Sequence, residues 1–150
     1  MGSNLEQLYQ QIILDHAKAR QGSGLREHQG AGTVGESHQL NPVCGDEITL
    51  RAVVDGRVIT AISWDGDGCA ISMASASIMT DLLQGLERDE AVSLVDTFRE
   101  VMRSRGKIQA DEEVLGDAAA LSGVSRYPAR VKCAMLAWVA LEEALLAANR

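Results

Sequence analysis

Residues 47–64, EITLRAVVDGRVITAISW, decide the fold class. Two runs rich in β-branched residues flank Asp55-Gly56, and an Asp-Gly pair suits the positive φ of a type I′ turn. The stretch therefore predicts an antiparallel hairpin. Upstream, GESHQLN (35–41) adds an edge strand, and the glycine-rich residues 21–36 read as a long loop. Everything further out is helical in pattern. Leu5, Leu8, Tyr9, Ile12 and Ile13 recur at helical spacing and predict a helix over about 4–19, with Ser3 and Glu6 as a capping box. Beyond the hairpin, CAISMASASIMTDLLQG puts Ile71, Ala74, Ile78 and Leu82 on one helix face, with Gly85 as the stop. RDEAVSLVDTFREVMRSRG predicts a second helix, DEEVLGDAAALSG a short third. The last helix begins at Pro128, which a first turn tolerates, and its unbroken apolar run from Cys133 to Leu141 predicts burial on most sides. Helix, small antiparallel sheet, then several helices is an α+β order.

The totals fit one globular domain spanning 1–150: 46% of residues are hydrophobic and 23% charged. Aromatics are only 3%, so aliphatic side chains and alanine must fill the core. A net charge of -7 without a dense Lys/Arg block excludes a nucleic-acid surface. No apolar run is long enough for a membrane span, and the start lacks a secretory signal. Three cysteines suggest no disulfide framework, so a cytoplasmic, reducing setting is expected.

Those cysteines stand at marked places. Cys44 lies in NPVCGDE (41–47), a turn ahead of the hairpin; Cys69 follows the glycine-rich WDGDG at a helix start; Cys133 sits near the start of the last helix. A lone buried cysteine is an ordinary core residue, and NPVCGDE alone reads equally as a surface turn. Three cysteines converging at one end of the sheet read as a metal site. Three thiolates leave tetrahedral zinc one ligand short, and Asp46 is the candidate for the fourth position, with Gly45 letting the backbone fold. Such an anionic set favours nearby cations, and Arg126, Arg130 and Lys132 are the candidates. Other chemistries lack their patterns. DGDG (65–68) reads as a turn and not an EF-hand, no G-x-S-x-G elbow is present, and no Walker or Rossmann glycines occur. His16, on the first helix, and His28 and His38 read as structural or solvated.

LYQQIILDH, NPVCGDEI, GDGCAISMASASIMT and RVKCAMLAW, in that order across nearly the whole chain, resemble the IscU/NifU-like iron–sulfur assembly family, and its SufU branch most. Lys132 stands where IscU-type proteins carry a histidine, SRYPARVKC replaces their Leu-Pro-Pro-Val-Lys segment, and the Cys69–Cys133 interval is longer, as in SufU-type proteins. The resemblance implies a three-stranded antiparallel sheet packed against about five helices. It maps the metal ligands onto Cys44, Asp46, Cys69 and Cys133, with zinc as the metal and an iron–sulfur cluster as the alternative. It also implies a SufS-type PLP-dependent cysteine desulfurase as partner, which passes persulfide sulfur to Cys44, and downstream iron–sulfur assembly proteins as recipients. In that family a desulfurase histidine takes the place of the acceptor cysteine on zinc and frees it as a nucleophile. Arg130 is the expected catalytic cation beside it. Three functions stay open: a zinc-dependent sulfurtransferase, a scaffold for a [2Fe–2S] cluster, and a structural zinc module that only binds the desulfurase.

Overall fold

The structure, a computed structural model, describes residues 2–28, 30–42 and 45–148, without the side chains of residues 2–4. Cys44, the expected acceptor and ligand, lies outside the described residues. The elements run α1 (Gly2–Ala19), β1 (Thr33–Asn41), β2 (Asp46–Asp55), β3 (Val58–Asp67), α2 (Ala70–Leu83), α3 (Arg88–Arg103), α4 (Glu112–Leu115), a 3₁₀ segment (Gly116–Arg126) and α5 (Pro128–Ala148). The α+β reading holds, with five helices and one three-stranded sheet among the described residues.

The strands form an antiparallel meander in the order β1-β2-β3. Four local expectations change. The β2–β3 turn has Asp55 paired with Val58, so Gly56 and Arg57 are its central residues; only Gly56 has positive φ, +65°. That is the pattern of a type II′ turn, with glycine first. The strand β1 begins at Thr33, two residues before the expected edge strand and taking the last four residues of the expected loop, and β3 continues into the DGDG stretch as far as Asp67. Helix α1 starts at Gly2, which places Ser3 inside it and not at its cap.

One face of the sheet, with Ile48, Leu50, Ala52, Ile59, Ile62 and Trp64 all at or near zero exposure, packs against the helices. Alanines make that packing close. Ala134, Ala137, Ala140, Ala144 and Ala148 of α5 are all buried, and the helix lies directly on the backbone of β1 at Gly35. A Cβ there would meet the carbonyl of Ala144 and stand 2.6 Å from the amide nitrogen of Ala148. Phe98 of α3 stacks on Trp138 of α5 with ring centroids 4.0 Å apart.

Two polar fixtures tie the helices together. Ser75 of α2 donates to the carbonyl of Ala134 (2.6 Å) and accepts from the indole nitrogen of Trp138 (2.8 Å), joining α2 to α5. His16 of α1 is buried, with Nδ1 2.8 Å from Ser77 Oγ on α2 and Nε2 3.0 Å from Asp117 Oδ2 in the 3₁₀ segment. Among the described residues no helix is long and apolar enough to cross a membrane.

Candidate metal centre

Three elements end at the same place. Asp46 opens β2 opposite Asn41 of β1, and the amide of Gly45 donates to the carbonyl of Asn41 (2.7 Å). Gly45 has φ +75°, the left-handed region its lack of a Cβ makes accessible. Next to β2, β3 runs out at Asp67, and Cys69 is the N-cap of α2. Cys133 sits in the second turn of α5, which crosses behind.

The carboxylate of Asp46 joins these elements. Its Oδ1 accepts the amide of Cys69 (3.1 Å), and its Oδ2 accepts the hydroxyl of Ser72 (2.5 Å). The Cys69 side chain makes no cap bond of its own, so Asp46 caps α2 from another element. Gly68 allows the approach, because a Cβ there would stand 2.6 Å from Asp46 Oδ1. Asp46 is only 2% exposed, and burial pushes its carboxyl up. Hydrogen bonds from Ser72, the Cys133 thiol, and the amide and thiol of Cys69 outweigh that and hold it below the usual value. The site therefore presents an ionised oxygen ligand.

The thiol of Cys69 lies 3.8 Å from Asp46 Oδ2 and 3.7 Å from Ser72 Oγ. Ligand atoms of Asp46, Cys69 and Cys133 all lie within 4.8 Å of one another. Tetrahedral zinc with bonds of about 2.3 Å to sulfur needs sulfur atoms about 3.8 Å apart, so a contraction of about 1 Å at most brings these donors to bonding positions. Two soft sulfurs and one ionised oxygen also suit zinc by donor type. The residues present fit the metal.

An open cleft of about 690 Å³ gives access to this point, with Cys69 exposed at its wall and Cys133 buried behind. Of the three cations expected nearby, Arg130 lines this cleft. Lys132 lines a neighbouring groove with Leu40 and Val139, and Arg126 lies against Gly106. Ser72 was absent from the sequence-derived site. It lies three residues after Cys69 on a helix, a spacing that puts both on one face, so the signal was present but carried no mark of chemistry. The Ser77–His16–Asp117 chain has the composition of a hydrolytic triad but not its exposure. Ser77 is fully buried and its oxygen takes the amide of Gln21 (3.0 Å), in keeping with the missing elbow motif.

The comparisons with known proteins agree with this geometry. The family model for the NifU-like N terminal domain matches residues 8–145. The chain is 41% identical to the zinc-dependent sulfurtransferase SufU of Bacillus subtilis, over 94% of this chain and 91% of that one. It is 40% identical to the iron–sulfur cluster assembly scaffold protein IscU of Streptococcus pyogenes serotype M1, over 95% and 86%. A solved structure from Fervidobacterium islandicum AW-1, described as a candidate SUF-system scaffold, shares 37% identity and a TM-score of 0.75, covering 89% of this chain and 93% of that one. The matched span takes in Asp46, Cys69, Cys133 and the elements that carry them, and the chain belongs to the NifU-like N-terminal domain family.

Proposed function

We propose that this chain is a zinc-dependent sulfurtransferase that accepts persulfide sulfur for iron–sulfur cluster assembly, acting as one domain in the cytoplasm. The observation that carries the reading is the meeting of Asp46, Cys69 and Cys133 in an open cleft that Gly45, the next residue in sequence after Cys44, also lines. Zinc bound by these four residues would keep the thiols as thiolates near neutral pH and bring no redox chemistry of its own. Chain connectivity alone keeps the Cα of Cys44 within about 7.6 Å of that of Asp46. The donor is a persulfide on a SufS-type cysteine desulfurase. The Cys44 thiolate attacks its outer sulfur, a new S–S bond forms, and the desulfurase cysteine leaves as a thiolate with no net oxidation. Cys69 and Cys133, held by α2 and α5, keep their places during the transfer. Arg130 on the cleft wall balances the negative charge that accumulates there. The chain turns over only with its desulfurase, and later assembly proteins take the sulfur.

A second reading, a scaffold for a [2Fe–2S] cluster, is favoured by the name of the Streptococcus relative and by the thiolate-rich donor set. Protein purified without oxygen separates the two. About one zinc per chain and no colour are expected, whereas stoichiometric iron with a brown chromophore overturns the leading reading. Incubation with desulfurase and cysteine, followed by alkylation and mass spectrometry, should place the added sulfur on Cys44. Persulfide mainly on Cys69 or Cys133, or full transfer by Cys44→Ser, refutes that assignment.

A further inference from the structure

We propose that Ser72 is a positioning residue of the metal centre, holding the Asp46 carboxylate in the orientation that completes the ligand set. This rests on the reading of the cleft as a metal site. Ser72 is 2% exposed and reaches three of the site's residues at once. Its hydroxyl lies 2.5 Å from Asp46 Oδ2 and 3.3 Å from the backbone carbonyl of Cys133, and its oxygen is 3.7 Å from the thiol of Cys69.

A serine hydroxyl has one proton, and here two oxygens compete for it. The ionised carboxylate at the shorter distance takes it, because charge-assisted bonds are shorter and about twice as strong as neutral ones. With Oδ2 held by Ser72 and Oδ1 by the amide of Cys69, rotation of the carboxyl group breaks one bond or the other. Each oxygen retains a second lone-pair direction, so the donors fix the carboxylate without consuming its capacity to bind metal. Burial removes the substitute, since Asp46 and Ser72 are both 2% exposed and bulk water cannot stand in for the lost hydroxyl. Ser72 therefore acts through Asp46. Once the Cys69 and Cys133 thiols give up their protons to bind metal, they no longer donate to the carboxylate, and without Ser72 the Cys69 amide would hold it at one oxygen only.

The test uses Co(II) as a spectroscopic substitute for zinc, in the full chain and in Ser72→Ala, Asp46→Ala and the double variant. Wild-type protein should show sulfur-to-cobalt charge transfer together with the d–d bands of a tetrahedral site. If it shows neither, the metal reading itself fails, independently of Ser72. Ser72→Ala should retain the charge-transfer band, shift the d–d bands and bind Co(II) about ten- to a hundredfold more weakly, the range for partners that orient a metal ligand. In the Asp46→Ala background the same substitution should change neither spectrum nor affinity. Three results overturn the proposal: an unchanged spectrum and affinity in Ser72→Ala, an equal loss with Asp46 already removed, or a Ser72→Ala chain that no longer folds by circular dichroism.

Discussion

Gly35→Ala should destabilise the protein by about 3 kcal/mol, although it adds a single methyl group. The added carbon would stand 2.6 Å from the Ala148 amide nitrogen and closer still to the Ala144 carbonyl. Ordinary packing needs about 3.5 Å, so α5 must retreat by roughly 0.9 Å at Ala148 and further at Ala144. Both obstacles are helix backbone, which cannot step aside as a side chain would. A gap of that width forfeits about a quarter to a half of the dispersion energy of every contact it opens. It opens where α5 lies against the sheet, and overpacked cores typically lose about 1–3 kcal/mol. For a chain of this size that corresponds to a Tm about 6–12 °C lower. Urea unfolding followed through Trp64 and Trp138, both fully buried, measures it, with an unchanged denaturant slope confirming a native-state effect. Gly123→Ala is the control: nothing lies within 4 Å of its new carbon and its φ is not positive, so it should be neutral or slightly stabilising. A Gly35→Ala protein within about 0.5 kcal/mol of the parent would refute the close seating of α5 on β1.

Other perturbations read other parts of the molecule. Asp46→Ala should still bind zinc through its thiolates but release it to a chelator faster, and should lose about 1 kcal/mol for the missing cap on α2; loss of all metal together with unfolding would show Asp46 to be chiefly structural. Burial, then the hydrogen bond to Glu112 (2.8 Å) and its charge, push the Tyr9 phenol up to about 12. Its neutral form therefore favours the folded state below the usual pKa of about 10, and that contribution is lost as pH rises through about 12. The near-ultraviolet titration of Tyr127→Phe, which leaves Tyr9 as the one tyrosine, should show the raised value, and Glu112→Gln should lower it; a midpoint near 10 in Tyr127→Phe contradicts the contact. Arg130→Ala should reduce sulfur acceptance several-fold while shifting stability by less than about 0.5 kcal/mol, as exposed substitutions do; unchanged stimulation of the desulfurase would place Arg130 on a solvated face.

The hairpin was legible because strand runs and turn chemistry are local properties of the chain. Its turn type was not, since Asp-Gly serves either residue pair as the centre until cross-strand register chooses one. The alanine-rich stretch after Gly116 favours an α-helix by propensity, yet it winds as a 3₁₀ segment. There Ser122 and Ser125 each bond the carbonyl three residues back, and Asp117 is tied to His16. The serine bonds are local, but the tie between His16 and Asp117 spans 101 residues of chain and leaves no trace in composition. Cysteine and aspartate are ligand residue types, so Asp46, Cys69 and Cys133 stand out in the sequence as candidates, and the fold brings their donor atoms together. Ser72 does not stand out, because its chief partner lies 26 residues away.

The two ends of α5 are held differently, and together they make it a beam on two supports. Near Cys133 the support is the hydroxyl of Ser75, bonded to the Ala134 carbonyl; near Ala144 it is the bare backbone at Gly35. From Cys133 to Ala144 is about 16 Å along the axis. A beam so seated resists sliding at one end and sinking at the other. A load at the Cys133 end passes along it into the sheet, and the corner that holds Cys133 keeps its place.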